Sequence, residues 1–95
     1  MKLVWLRRAM LDREAQLEYV AQDHPRAAIE QGDRIAESIG QLAQCPEMGR
    51  PGRRAGTREL VIARTPFIAV YRVKGERIEL LRLLHGAQQW PPGEG

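Results

Sequence analysis

The sequence predicts an α+β domain in the order β-α-α-β-β-β, an antiparallel sheet with a helical hairpin packed on one face. Three observations predict it. Three apolar runs between Thr57 and His85 are separated only by short turns, two helical patterns between Arg7 and Gln44 meet at Pro25, and the chain has 95 residues. A chain of this length buries one core, so a single domain is expected. Two helices in one hairpin can cover only one face of the sheet they pack on.

Each element follows from residue spacing. Lys2 to Leu6 is a short run with the strand formers Val4 and Trp5, read as the first strand. From Arg7 the pattern turns helical. Leu6, Met10, Leu17, Val20 and Ala21 make one stripe, interrupted by Arg13 and Glu14, and the helix is expected to end near Gln22. Asp23-His24-Pro25 connects, with proline suited to a first helical position where its missing N–H costs nothing. In the second helix Ala28, Ile35, Ile39 and Leu42 form a seam that Ile29, Ala36 and Ala43 are expected to widen. Gly32 in its interior costs about 1 kcal/mol relative to alanine, which suggests a close approach to the first helix. Cys45-Pro46 ends it, because the residue before a proline is pushed out of helical geometry.

The expected divisions are a strand over 1–6, a helical hairpin over 7–44, a basic loop over 45–56, three antiparallel strands over 57–85 and a tail over 86–95. The loop is read as having no secondary structure, since it is rich in glycine, proline and arginine and lacks periodicity. Arg64-Thr65-Pro66 and Lys74-Gly75-Glu76 are turns too short to join anything but antiparallel neighbours. Alternation puts Phe67, Ala69, Tyr71 and Val73 on one face of the middle run, and Ile68, Val70 and Arg72 on the other. In the last run Ile78, Leu80, Arg82 and Leu84 oppose Glu79, Leu81, Leu83 and His85. Both faces are largely apolar, and the uncovered one is expected to show Ile68, Val70, Leu80 and Leu84, or their opposites, to water. Such a patch on a small protein marks a partner site.

Composition narrows the partner. With 43% apolar and 28% charged residues the chain is an ordinary globular one. No apolar run approaches the roughly 18 residues of a membrane span. The apolar stretch at the N-terminus is too short for a signal peptide and is followed by Arg7-Arg8, so a cytoplasmic protein without membrane partners is expected. The single Cys45 excludes an internal disulfide, is read as a small, partly buried residue, and offers no metal-ligand pattern. No cofactor is expected. The net charge of +3 is local: residues 1–44 sum to −1 and 59–95 to +1, whereas 45–58 carry Arg50, Arg53, Arg54 and Arg58 against Glu47. A basic patch favours an acidic protein segment or a nucleic acid.

Several strings in order, Asp23-His24-Pro25-Arg26-Ala27-Ala28, Pro46-x-x-Gly49-Arg50-Pro51-Gly52, Gly56-Thr57-Arg58-Glu59-Leu60, Val70-Tyr71-Arg72-Val73 and Leu83-Leu84-His85-Gly86-Ala87-Gln88, together resemble the RelE/ParE superfamily of bacterial toxins. The resemblance covers nearly the whole chain. It implies the fold already derived, a type II toxin–antitoxin pair of the kind associated with plasmid stabilisation, and a cognate antitoxin whose acidic, amphipathic segment wraps the toxin. It also implies contact with DNA only indirectly, through the antitoxin.

The superfamily contains two mechanisms. RelE-like members are mRNA interferases that cut message in the ribosome, with groups that activate the ribose 2′-hydroxyl, stabilise the phosphorane and protonate the leaving oxygen. ParE-like members inhibit DNA gyrase. In the nucleases an arginine typically stands three residues before the tyrosine of the middle strand, where this chain has Ile68, and a basic residue follows the last strand, where it has Gly86-Ala87. The resemblance therefore favours the gyrase-inhibitor subgroup and a protein that is not an enzyme. If it is a nuclease, His85, Arg82, Arg58 and Arg72 are the catalytic candidates; a third alternative is an inactive member that acts only in an antitoxin–DNA repressor complex.

The candidate partner-binding residues are Arg50, Arg53, Arg54, Arg58, Arg72, Arg82, His85, Gln88 and Trp90. Each has a plainer alternative. His85 can hydrogen-bond backbone where the chain leaves the sheet, Arg58 and Arg72 can pair with Glu59 or Glu79, and the arginine loop can be merely solvated instead of cradling phosphate through its N–H groups. Trp5, Tyr19, Phe67 and Tyr71 are read as core or near-core residues, and Trp90 as a lid folded on the sheet or an exposed anchor. Arg58, Arg72 and Arg82 are expected to edge the partner face.

Overall fold

The computed structural model describes residues 1–86, 90 and 91. Its elements are β1 (Lys2–Trp5), α1 (Arg7–Asp23), α2 (Pro25–Gln41), β2 (Arg50–Pro51), β3 (Arg58–Val61), β4 (Phe67–Lys74) and β5 (Arg77–His85). His24 alone separates the helices: its N–H donates to the carbonyl of Val20 while its own carbonyl accepts from Ala28. Pro25 begins α2, as its missing donor permits.

The five strands form one mixed sheet in the order β1-β5-β4-β3-β2. β2 to β5 run antiparallel, and β1 lies parallel to β5 with Leu3 opposite Ile78 and Trp5 opposite Leu80. The basic loop is therefore not structureless, because Arg50 pairs with Glu59 and Pro51 with Arg58 to make the short edge strand β2. A proline is tolerated there because an edge strand needs no further ladder donor. Gly75, at φ +63°, opens the two-residue turn between β4 and β5, the conformation that a twisted hairpin requires of its first turn residue.

The core lies between the hairpin and one side of the sheet. Ala9, Ile35, Ile39 and Leu42 meet Leu60, Phe67, Ala69, Tyr71, Ile78, Leu80 and Leu83, all under 9% exposed. Each fully buried leucine or isoleucine contributes about 1.5–3 kcal/mol. Helix α1 follows the predicted stripe at Leu6, Leu17, Val20 and Ala21, all half-buried, and departs from it in its first turn. Ala9 is its buried residue and Leu17 packs partly on the core, whereas Met10 is exposed. On α2 the seam of Ala28, Ile35, Ile39 and Leu42 is buried, but Ile29 at 66% exposed and Ala36 face outward, so the predicted broad face is a narrow one. Tyr19 is 76% exposed rather than near-core, and Cys45 is exposed. A methyl group at Gly32 would meet Leu17 at an ordinary 3.5 Å, so this glycine faces α1 without being demanded by it.

The strict alternation predicted for the last strand breaks at a bulge. Val70 pairs with Arg82 but Tyr71 pairs with Leu80, which leaves Leu81 without a partner on β4. The extra residue moves Leu83 onto the helix-facing side with Ile78 and Leu80, and leaves Arg82 and Leu84 on the other. Beyond Trp5, β5 has no strand on its outer edge. Helix α1 takes over that role: the Asp12 carboxylate accepts from the N–H of Leu83 at 3.0 Å, and the Gln16 amide donates to the Leu83 carbonyl at 3.2 Å.

Candidate functional site

Strand register places Glu59, Val70, Arg72, Glu79, Arg82 and Leu84 on the side of the sheet turned away from the helices. This side is not the bare apolar patch that alternation predicts. Val70 and Leu84 are fully buried, Ile68 is half-buried, and Leu80 belongs to the opposite, helix-facing side. Glu59 and Arg82 are the cross-strand neighbours of Val70, and Ile68 that of Leu84.

The arginines are held by carboxylates. Glu59, 1% exposed, accepts from the Arg50 guanidinium at 3.3 Å, from Nε of Arg53 at 3.1 Å and from the backbone N–H of Arg53 at 2.9 Å. Burial works to raise the Glu59 pKa, but the hydrogen bonds from Arg53 and Arg50 outweigh it and hold the carboxyl below the ordinary value of 4.5. Glu79 accepts from Nε of Arg72 at 2.7 Å and pairs with Arg77 at 2.8 Å. The Arg72 hydrogen bond, aided by the charges of Arg77 and Lys74, lowers the Glu79 pKa against the opposing effect of burial. Arg82 donates to Asp12 at 2.7 Å from Nε, and Asp12 also receives Arg8 at 3.2 Å. Its guanidinium lies 5.4 Å from the centre of the Trp90 ring.

Between these groups lies a cleft of about 430 Å³ lined by Arg54, Thr57, Arg72, Leu81, Arg82 and Trp90, among others. Three guanidiniums around a leucine and an indole suit a carboxylate or phosphate carried on a partly apolar chain. Among the described residues no cluster of three or more His, Cys, Asp or Glu stands ready for a metal ion.

The structure thus brings Arg54, Arg72, Arg82 and Trp90 together, with Arg50 and Arg53 bound beside them to Glu59. Arg58 does not join them. It pairs across β4 with Tyr71 on the helix-facing side and donates to the carbonyls of Gly49 at 2.8 Å and Glu47 at 3.4 Å, instead of pairing with Glu59. The predicted edging of one face by Arg58, Arg72 and Arg82 is therefore corrected to Arg72 and Arg82. His85, exposed at the end of β5, pairs across with Phe67 on the helix-facing side, its ring edge-on to Phe67 at 6.5 Å. Gln88 and Ala87 lie outside the described residues. The backbone N–H of Arg53, considered for phosphate, is already given to Glu59.

The loop that carries Arg50, Arg53 and Arg54 is anchored from below. The Tyr71 hydroxyl donates to the carbonyl of Pro46 at 2.7 Å and accepts from the N–H of Gly49 at 2.9 Å. Burial raises the Tyr71 pKa, which the Gly49 hydrogen bond and the Arg58 charge only partly oppose. A Cβ at Gly49 would fall 2.7 Å from the Tyr71 ring and 2.9 Å from the Glu59 carbonyl, so only glycine lets the loop pass there. Sequence reading missed Asp12 and Leu81. Nothing local ties Asp12 to a residue 70 positions away, and Leu81 enters the cleft through a bulge that spacing does not reveal.

The architecture defines a small α+β protein with a helical hairpin on one face of a five-stranded sheet and a basic cleft on the other. Residues 3–90 match the family described as "ParE toxin of type II toxin-antitoxin system, parDE". The chain is 39% identical over 90 residues to the protein named "Putative toxin Y4kP" of Sinorhizobium fredii, covering 95% of this chain and 93% of that one. It is 33% identical over 87 residues to "Toxin RelE2" of Caulobacter vibrioides, covering 92% and 97%. The solved structure titled "Chromosomal ParDE TA system from P. aeruginosa" matches with a TM-score of 0.83 and 34% identity, over 90% of this chain and 95% of that one. The chain belongs to the ParE toxin family of type II toxin–antitoxin systems. Membership implies an antitoxin partner. No helix among the described residues is long and apolar enough to cross a membrane.

Proposed function

We propose that this toxin arrests growth by inhibiting DNA gyrase, and that its antitoxin neutralises it by laying an acidic, amphipathic segment along the cleft of Arg54, Arg72, Arg82 and Trp90. One observation carries the choice against RNA cleavage. The four nuclease candidates do not converge: Arg72 and Arg82 stand on the open side, Arg58 and His85 on the helix-facing side. In-line phosphoryl chemistry needs a proton-transfer group and a phosphorane-stabilising cation within reach of one phosphate, and losing a stabilising donor costs about 2.7–4 kcal/mol. Stoichiometric inhibition of a protein target needs only a complementary surface.

The test is a supercoiling assay with purified gyrase and increasing toxin, with and without the antitoxin. The expected result is loss of supercoiling at stoichiometric toxin and its return on adding antitoxin. Full gyrase activity at excess toxin, together with cuts in ribosome-bound message that disappear in His85→Ala, would replace this reading with the mRNA-interferase one. A chain that neither arrests growth nor inhibits gyrase would be an inactive member of a repressor complex.

A further inference from the structure

Strand β5 carries one residue that its ladder does not use. Leu80 pairs with Tyr71 and Arg82 with Val70, consecutive residues of β4, so Leu81 is an insertion between two regular halves of the strand. Leaving it out restores strict alternation, with Ile78, Leu80 and Leu83 on the helix-facing side and Glu79, Arg82 and Leu84 on the other. The outer edge is gripped on either side of Leu81 as well. β1 pairs no further than Leu80, and the bonds from Asp12 and Gln16 to the backbone are made at Leu83. The Leu81 side chain is half-buried, stands outside the core and lines the basic cleft beside that of Arg82. Consecutive residues of a regular strand leave opposite faces, so only the bulge lets a leucine and the next guanidinium share one cleft.

We propose that Leu81 is a specificity residue of the cleft. The inserted leucine and the Trp90 indole receive one large aliphatic or aromatic side chain of the antitoxin segment, while Arg54 and Arg72 take a carboxylate next to it. The inference rests on the reading that the antitoxin occupies this cleft, and it names what the segment must present there. Arg82 is the least available of the three cations, because Nε and one terminal nitrogen already go to Asp12 and the guanidinium lies 5.4 Å from the Trp90 ring. Charge alone attracts any acidic chain. An apolar seat among the cations accepts only a chain with an apolar residue at the right distance from its carboxylate, and a wholly acidic segment leaves Leu81 uncovered and a carboxylate against hydrocarbon. A bulge that served only to twist the strand would need an extra backbone unit but not a leucine facing three guanidiniums.

Titration calorimetry of the purified antitoxin against toxin variants, at low and high salt, tests this. Leu81→Ala, which keeps the bulge, should weaken binding about tenfold with the salt dependence of the wild type, and Leu81→Met should restore most of the affinity. Deleting Leu81 should give a folded chain with an unchanged circular dichroism spectrum, because every remaining pair keeps its register, and should weaken binding at least as much. Arg54→Glu is the control, since weaker binding with a reduced salt dependence places the antitoxin in the cleft. If Arg54→Glu binds weakly but Leu81→Ala binds as tightly as the wild type, the inference is overturned and the reading of the cleft stands. Wild-type affinity in Arg54→Glu removes that reading and the inference with it. A Leu81→Ala chain that loses urea resistance and affinity together, without rescue by Leu81→Met, assigns the leucine to the fold and also overturns the inference. If the deleted chain does not fold, Leu81→Ala decides alone.

Discussion

The two sides of the sheet bury comparable apolar residues by different means. On the helix-facing side Tyr71, Ile78, Leu80 and Leu83 are covered by Ala9, Ile35, Ile39 and Leu42, so hydrocarbon meets hydrocarbon. On the other side Val70 and Leu84 are just as inaccessible, yet Val70 has Glu59 and Arg82 as its cross-strand neighbours, and the ion pairs of Arg72 with Glu79 and Arg82 with Asp12 lie on the same side. The first side is stabilised by burial that no pH or salt near physiological values can reverse. The second carries ion pairs, whose strength depends on both pH and salt. A small toxin thus carries a firm core on one face of its sheet and an ion-paired surface on the other.

The comparison breaks most sharply by substitution. Leu80→Ala, on the helix-facing side, should cost about 2–5 kcal/mol in urea unfolding, because the hole it leaves lies between packed layers. Glu59→Gln, on the open side, should cost about 1–2 kcal/mol, less than a core truncation, since the half-exposed guanidiniums regain water. Its larger effect should fall on antitoxin affinity, as Arg50 and Arg53 lose the anchor that holds their loop. An equal loss from the two variants would erase the distinction drawn between the sides.

Acid titration sharpens the same contrast. The folded-state pKa values of Glu59 and Glu79 are depressed, so their contribution is present above the unfolded value near 4.5 and lost as pH falls through the folded values. Stability should therefore hold from neutral pH down to about 5 and decline below it, with a smaller decline in Glu59→Gln. A wild-type curve that began to fall at pH 6 to 7 would contradict the assignment to these two glutamates. Arg54→Glu should leave stability within about 0.5 kcal/mol, as for most exposed substitutions, while weakening antitoxin binding about tenfold in a salt-dependent manner. The smallest effect is expected from His85→Ala, which should change stability by less than about 1 kcal/mol and leave growth arrest intact. Abolished toxicity there would restore His85 as a catalyst.

Much of this architecture is legible in the chain because local rules carry it. Pro25 marks the start of α2, Gly75 the tight turn, and the three apolar runs their strands. What escapes is decided over long distances. The strand β2 exists because Arg50 and Arg53 reach Glu59 and because Gly49 slips past Tyr71, contacts that the loop's composition conceals. The bulge at Leu81 moves Leu83 and Leu84 to faces opposite those that strict alternation gives them. On helix α1 the stripe holds at Leu17, Val20 and Ala21, but spacing picks Met10 where Ala9 is the buried residue, because apolar residues surround the first turns of the cylinder. Of the site, Arg54, Arg72, Arg82 and Trp90 were nameable as residue types in a basic, partner-binding context, but which of the arginines share a side follows only from register.

The pairing of β1 with β5 sets a timetable for the molecule. β1 lies beside β5, and Asp12 in α1 joins the nearby Arg8 to the distant Arg82 and Leu83. A nascent chain that has reached β4 still lacks the neighbour of both β1 and β4, so neither the core nor the basic cleft can close. Contacts of such long sequence separation form late in folding. Closure of the core and of the cleft therefore waits on one strand, β5.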